Sequence, residues 1–538
     1  MLRYRSALKV WGSRKYSVLL PEFKLKCGLE IHTQLCTKNK LFSLSTNDAF
    51  AAADKPNYHA SYFDVSLPGS QPKLNYEAIL FATKLAVALN CQVSPVSQFD
   101  RKHYFYGDQP LGYQITQHFA PFAKNGYLEL SKDLDGIDQE HRKIEIMQLQ
   151  IEQDTGKSIY RDNEKLSLID LNRSNVPLIE MVTHPQFTDW KEVRAFIKKY
   201  QALLRSLGIS TGDLETGAMR VDVNVSVNDN ARVELKNLPN TSSILKAIQF
   251  EYDRHVHIIK EGNQHKLLAQ TETRSWNGYS TARLRGKETS IDYRYMPDPE
   301  IPVVKVSQEL ISTVAQSIPA LPDAILRKLI SQPFNLSLKD AKILAFASNG
   351  HGELYSQAEL LPFYIKTFEN YQEKAGKRVE TKLPTSWIIH ELLGNINKLS
   401  LPFSDVIKVL TPTSFSEFLI LMTEGKISRP SAKLLLFHIL KDLQQRQDKV
   451  PHQSIDFQSL IKEYGLNELK NVDQEELDEL CSSIIKEVDN PALIEAIKTG
   501  QKRNSIKFLV GQGMRLSQGR IKPQLFEKTF KKLLRVDW

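Results

Sequence analysis

The sequence predicts an α+β chain whose N-terminal domain is built on an antiparallel sheet and whose remainder is helical. Two observations carry this. Between Phe23 and about Pro302 several segments alternate strictly between apolar and polar residues, the pattern of strands with one buried face. From about Ser307 the alternation gives way to helical periodicity, punctuated by Pro319, Pro322 and Pro333.

In FKLKCGLEIHTQ, Phe23, Leu25, Cys27, Leu29 and Ile31 take one face, and Lys24, Lys26, Glu30, His32 and Gln34 the other. MQLQIEQD sets Met147, Leu149 and Ile151 against Gln148, Gln150 and Glu152. MRVDVNVSV sets Met219, Val221, Val223, Val225 and Val227 against Arg220, Asp222, Asn224 and Ser226. RVELKN places Val233 and Leu235 opposite Arg232, Glu234 and Lys236. Four such strands predict an antiparallel sheet with one polar face. Among the helices, the clearest opens at the N-cap Asp189, with Glu192 three residues on. It follows the stripe Trp190, Val193, Phe196, Ile197, Tyr200, Leu203, Leu204 and Leu207, and stops at Gly208. The expected organisation is a leader at 1–20, the sheet domain at 21–305, a helical domain at 306–410 and a tail domain at 411–538. The last break lies near the proline-containing Ser400–Pro412.

The net charge of +9 sits at the two ends of the 538-residue chain. Residues 1–20 carry +5 and residues 498–538 carry +9, which leaves the body at −5. The opening stretch is Arg-rich, Ser-containing and free of acids, the composition of a mitochondrial transit peptide. No apolar run approaches the roughly 18 residues of a membrane span. The four cysteines form no CxxC pair, which argues against a zinc cage or a disulfide framework and suits a reducing compartment.

Glu30 and His32, two apart on a polar strand face, read alone as a solvated pair. IEQDTGKS adds Glu152 and Asp154 on a second alternating strand, with Gln153 between them. Same-face neighbours stand about 6.5–7 Å apart along a strand, close enough for such groups to converge on one ion or phosphate. Carboxylates with an imidazole suit Mg²⁺, or alternatively Mn²⁺. Asp100–Tyr106 and Asp292–Pro297 mix basic and aromatic residues, as phosphate contacts and amphipathic surface strands both do. Gly156-Lys157-Ser158 is not the end of a P-loop, because Ile151 stands where glycine is required. Gly511-Gln512-Gly513 fails as a dinucleotide fingerprint, because Leu516 occupies the last glycine position. ATP, if used, is handled outside the common nucleotide folds. The basic tail, with Lys502, Arg503, Lys507, Arg515, Arg520 and Lys522, suits contact with an RNA backbone.

Several longer motifs run in fixed order from about residue 24 to the C-terminus: GLEIHTQL, DRKHYFYGDQPLGYQITQ, IEQDTGKS, DLNRSNVPLIEMV, LETGAMRVDVNVSV, ELKNL, ETR, DYRYMPDPEIP and FLVGQGM. Together they resemble the B subunit of the tRNA-dependent amidotransferase, the glutamyl-tRNA(Gln) amidotransferase of bacteria and organelles. The resemblance implies a cradle-like N-terminal domain on an antiparallel sheet, an all-helical domain and a helical YqeY-like tail that contacts tRNA. It implies ATP-dependent phosphorylation of the glutamyl γ-carboxyl on mischarged Glu-tRNA(Gln). Amidation follows, by ammonia from glutamine released by a partner amidase (A) subunit, with a small third subunit, in the mitochondrial matrix.

By motif position, the resemblance implies that Glu30, His32 and Glu152 serve the catalytic metal. Gln153 is expected as a further oxygen ligand where the family commonly has glutamate. The resemblance also implies that Lys102, Glu180, Arg220 and Asp222 line the same site and that Arg101, Tyr106, Lys236, Arg274 and Arg294 are substrate or phosphate contacts. Many members carry a cysteine zinc knuckle where this chain has Ser43 and Ser45, so no zinc is expected. Leu111 replaces a usual lysine. Two rival readings remain: a noncatalytic tRNA-binding scaffold, suggested by Gln153 alone, and the same chemistry on Asp-tRNA(Asn).

Overall fold

The computed structural model describes residues 19–48, 55–268, 271–286, 294–346, 356–376, 380–445, 455–466, 473–488, 491–517 and 521–536. The chain divides into two units, Met1–Ala324 and Ile325–Trp538.

The first unit is organised by nine strands. They are β1 (Leu25–Gln34), β2 (Gln92–Val93), β3 (Ala123–Ser131), β4 (His141–Gln153), β5 (Pro177–Thr183), β6 (Met219–Val227), β7 (Val233–Lys236), β8 (Glu272–Trp276) and β9 (Thr281–Gly286). Their order across the sheet is β9-β8-β7-β6-β1-β5-β4-β3-β2. The four strands expected from alternation are β1, β4, β6 and β7, and the intervening β5 completes a contiguous block. The pairings are antiparallel except β7 with β8. That pair is parallel because a 20-residue helix, Thr241–Lys260, carries the chain back across the sheet before β8 begins.

β6 shows the alternation cleanly, with every odd residue buried and every even one half-exposed. β4 departs from it, since Met147 is 40% exposed rather than inward. The register against β5 passes from Val182↔Gln148 to Thr183↔Ile146, so Met147 is the extra residue of a bulge. One extra residue swaps faces, which lets Ile144 and Ile146 before it and Leu149 and Ile151 after it all reach the core. Three helices, α1 (Tyr76–Ala88), α2 (Trp190–Ser206) and α3 (Thr241–Lys260), contribute Ile79, Phe196, Tyr200, Ile248 and Tyr252 to the same core as the inward strand residues. α2 starts as expected, with the Asp189 carboxylate accepting from the Lys191 amide.

Residues 1–18 of the expected leader lie outside the described residues. Leu19 and Leu20, assigned to it by composition, instead belong to the fold: both pack on the core, and the Leu20 amide donates to the Tyr252 hydroxyl at 2.9 Å. The boundary expected at 305 also moves, because the Gln308–Ser317 helix and its continuation set Ile311, Ile318 and Leu321 against the same core.

The described residues of the second unit form helices without a strand. The break expected at 410 falls between helices that pack together, Gln357–Ala375 and Pro412–Thr423. The Phe363 and Phe415 rings lie 5.8 Å apart, and Tyr371 and Thr423 share a hydroxyl contact of 2.9 Å. A distinct apolar cluster, including Leu477, Ile484, Leu509, Phe526 and Phe530, gathers only later in the chain. Among the described residues no single helix is long and apolar enough to cross a membrane.

Candidate active site

The site is built by register. His32 on β1 stands between Glu180 on β5 and Arg220 on β6, while Glu30 pairs with Asp222. Since Cβ atoms of directly paired residues lie about 4.5–5.5 Å apart, these side chains meet on the polar face. Glu152 arrives from the end of β4. His32 bridges two carboxylates, with Nε2 3.3 Å from Glu30 Oε1 and Nδ1 3.3 Å from Glu152 Oε1. Two sets, Glu30–His32–Asp222 and His32–Glu152–Glu180, each bring one ligand atom per residue within 4.8 Å of one another.

The electrostatics are those of a site rich in negative charge. Burial alone lowers the His32 imidazolium, yet Glu152 and Glu30 reverse this and hold its pKa well above the usual value. Burial raises the Glu180 carboxyl, and repulsion from Glu152 raises it further. Asp222 is also raised by burial, with partial relief from its ion pair to Lys236. Carboxylates that crowd protons onto one another and onto an imidazole are a donor set for a hard divalent cation, so the residues fit Mg²⁺.

Lys102 comes from a separate three-stranded sheet of Tyr295–Pro297, Asp100–His103 and Tyr113–Thr116. Its Nζ lies 5.6 Å over the Tyr295 ring; burial lowers its ammonium, but Tyr295 and then Glu152 outweigh that and raise it. Gln153 is the bolt between the two sheets rather than a metal ligand. It is 1% exposed, its Oε1 accepts from the Ile115 amide at 2.9 Å, and its carbonyl accepts from Gln114 Nε2 at 2.9 Å. Alternation is the reason: the residue after Glu152 faces away from it. Gln153→Glu is therefore expected to leave the Mg²⁺ concentration for half-activation unchanged, without the ~10–100-fold effect of altering a metal's surroundings. A metal titration of activity checks this.

Other assignments are redistributed. Arg101 lies on the opposite face from Lys102, bonded to Asp298 at 2.7 Å and Glu300 at 2.9 Å and stacked 4.2 Å over the Tyr113 ring. It braces this small sheet and is not a phosphate contact. Tyr106 is exposed and pairs its ring with Tyr104 at 4.6 Å. The Arg294 carbonyl accepts from the His103 amide, while Asp292 and Tyr293 lie outside the described residues. Lys236 is on the site face, paired with Asp222 and with Glu234 at 3.3 Å. Glu234, expected to be outward, is 4% exposed and accepts from Thr273 Oγ1.

Arg274 is not at the site. It pairs in register with Leu235, on the core face, and bonds Glu251 of α3 at 3.1 Å and Glu272 at 3.1 Å. Beside it, His255 is buried with neither ring nitrogen hydrogen-bonded among the described residues, and burial pushes its pKa down to about 4 against the pull of Glu251. The unfolded chain takes this proton first, so stability is expected to fall as pH drops from about 6.5 toward about 4, by at most ~1.4 kcal/mol per unit. His255→Leu should flatten that window in denaturant titrations at stepped pH.

Sequence reasoning passed over Arg173. Its Nε donates to the Thr155 carbonyl at 2.9 Å and its Nη2 to the Gly156 carbonyl at 2.7 Å, beside Asp154. It sits in an irregular turn, DLNRSN, where no periodicity points to a face. Gly156–Ser158 opens a hairpin strand, Lys157–Arg161, rather than a helix. In the tail, Lys502, Arg503, Lys507, Arg515 and Lys522 are exposed, and Arg520 lies outside the described residues.

The sheet and its cluster define a class: an α+β catalytic domain that presents carboxylates, an imidazole and cations on one open face. Residues 25–312 match the family model described as "GatB/GatE catalytic domain" and residues 367–534 the one described as "GatB domain". The second match begins ahead of the tail expected from 411. Relatives named as the B subunit of mitochondrial glutamyl-tRNA(Gln) amidotransferase include one from Lachancea thermotolerans, 61% identical over 533 residues, covering 98% of this chain and 97% of its own length. The Vanderwaltozyma polyspora relative is 59% identical over 538 residues, all of both chains, and that of Saccharomyces cerevisiae strain RM11-1a is 56% identical over 523 residues, 96% of each. The chain belongs to the family of mitochondrial glutamyl-tRNA(Gln) amidotransferase B subunits.

Proposed function

We propose that this protein carries the activation and amidation steps of a tRNA-dependent amidotransferase in the mitochondrial matrix. ATP phosphorylates the γ-carboxylate of glutamate esterified to tRNA(Gln), and ammonia released from glutamine by a partner amidase subunit displaces the phosphate to give Gln-tRNA(Gln). A small third subunit completes the assembly. A carboxylate is a poor electrophile, whereas an acyl phosphate carries a good leaving group, so the protein's work is positioning and charge neutralisation.

The observation that carries this reading is the in-register meeting of Glu30, His32, Glu180, Asp222 and Arg220 on the open sheet face, with Glu152 reaching His32 from β4. Glu30, His32 and Glu152 are the residues suited to hold Mg²⁺, with Mn²⁺ as an alternative. The bound ion would neutralise phosphate charge. Lys102 and Arg220 supply cations to the phosphoryl oxygens, and Lys236 holds Asp222. The scaffold alternative rested on Gln153, and that residue is engaged with the Ile115 amide. The name its relatives carry favours Glu-tRNA(Gln) over Asp-tRNA(Asn). The test is conversion of mischarged Glu-tRNA(Gln) by this chain with its partner amidase, dependent on ATP and ammonia. Conversion that persists undiminished in Glu30→Ala and His32→Ala would remove the site assignment.

The exposed basic residues of the tail support a grip on the tRNA backbone. Glutamate substitution at Lys502, Lys507 and Arg515 is expected to raise the KM for tRNA with kcat little changed. It should flatten the salt dependence by about 0.7–0.9 log units per lost phosphate contact. A fall in kcat alone would count against the grip.

A further inference from the structure

Asp154 continues the alternation of β4 one step past its last residue, yet its carboxylate does not join the cluster. It is 2% exposed. Its Oδ2 accepts from Gln34 Nε2 at 2.9 Å and is ion-paired with Arg220 Nη2 at 2.9 Å, with Arg173 Nε 3.7 Å away, and its Oδ1 accepts from the Thr155 amide at 2.9 Å. The main chain is tied as well, through the Val176 carbonyl and the Asn175 amide. A carboxylate this deep is tolerated only when paired, and here two guanidiniums outweigh burial.

Arg220 is thereby held by one edge. It projects from β6 beside His32, and its side chain is 38% exposed although its Nε is buried without a hydrogen-bond partner among the described residues, so the exposed donors are those of the Nη end. A guanidinium pinned through one nitrogen keeps its other N–H groups in a fixed fork that matches phosphate oxygens. Two guanidiniums around one carboxylate also leave one positive charge in excess, next to a cluster dominated by carboxylates. That excess suits an anion entering with ATP.

We propose that Asp154 is a positioning residue for phosphoryl transfer: with Gln34 and Arg173 it locks Arg220 so that the free edge of the guanidinium meets the phosphoryl oxygens of the substrate. This rests on the ATP-dependent reading above. It differs from a stability role in one respect, that the effect of Asp154 on the reaction passes through Arg220.

A double-mutant cycle in the complete amidotransferase complex tests it, with Asp154→Asn, Arg220→Ala and both together. The readouts are KM for ATP, kcat, the ATP dissociation constant from nucleotide titration, and Tm. Asp154→Asn alone should raise KM and the dissociation constant about tenfold, equivalent to ~1.4 kcal/mol. On the Arg220→Ala background the same change should alter them by less than about twofold. Full additivity of the two substitutions would overturn the proposal, as would an unchanged KM in Asp154→Asn. If Asp154→Asn does not fold, Arg220→Lys carries the test. An ammonium cannot bond Asp154 and present a planar fork, so KM for ATP should rise comparably with Tm retained, and an unchanged KM overturns the proposal. Wild-type complex that turns over without ATP would overturn the phosphorylation reading itself, an outcome separate from an additive cycle.

Discussion

Glu152→Gln is expected to reduce ATP- and ammonia-dependent amidation of Glu-tRNA(Gln) by roughly 10²–10⁴-fold while the protein stays folded. The amide keeps the volume and one oxygen but removes the charge. Three consequences follow from the geometry. His32 loses the anion 3.3 Å from its Nδ1 and with it part of the hold on its orientation. Glu180 loses the carboxylate that most repels it, so the charge balance of the whole cluster changes. The metal set loses its buried member, since Glu152 is 6% exposed and reaches the cluster from β4 while Glu30 and His32 come from β1. The loss should fall mainly on kcat, measured as tRNA-dependent ADP release and as Gln-tRNA(Gln) formation. Activity within about threefold of wild type, with Mg²⁺ dependence unaltered, would remove Glu152 from the site.

The largest stability effect is expected at Asp64→Ala, about 3–5 kcal/mol by urea unfolding. Lys40 and Asp64 are both fully buried, with Nζ 3.3 Å from Oδ2. The ammonium also donates to the Leu171 carbonyl at 3.2 Å. Burial pulls the Lys40 pKa down, opposed by Asp64, so removing the aspartate leaves a charge in the interior or forces it to deprotonate. Asp64 also collects bonds from Ser43 Oγ, the Ser61 amide and Asn175 Nδ2, which tie the loop after β1 to the turn before β5. Asn175 in turn bonds the Asp154 carbonyl, so the disturbance should reach the site and lower activity too. Replacing both partners, Lys40→Met with Asp64→Leu, should cost less than Asp64→Ala alone, because no unpaired charge remains. A single-substitution loss under about 1 kcal/mol would show that water reaches Lys40.

The polar face of the sheet was legible in the sequence wherever a strand runs without irregularity. Glu30, His32, Arg220 and Asp222 lie on β1 and β6, which pair without a bulge, so parity put each of them on the polar face and motif resemblance assigned them to one site. Glu180 had no such signal, because PLIEMV reads as a continuous apolar run with one acid and its place comes from pairing between β1 and β4. Motif resemblance supplied it instead. Parity failed where the chain deviates: at the Met147 bulge, where one added residue exchanges faces, and at Asp154, which keeps the parity of Glu152 but lies beyond the strand. Arg274 was misplaced for a related reason, since its face depends on the parallel register with β7 and not on its neighbours in sequence.

By itself, then, the sequence determined the fold class, the basic tail and the residue types of a hard-cation and phosphate site, because period and composition are local properties. The tertiary structure alone decided which charged groups face the reaction. Arg101, Gln153 and Arg274 are consumed by Asp298, the Ile115 amide and Glu251, whereas Arg220 is held at one edge by Asp154. These choices turn on partners up to 197 residues apart, as for Arg101 and Asp298. A charge is free for chemistry only after burial has assigned every other charge its counter-ion, and that assignment is made by the packing of the whole domain.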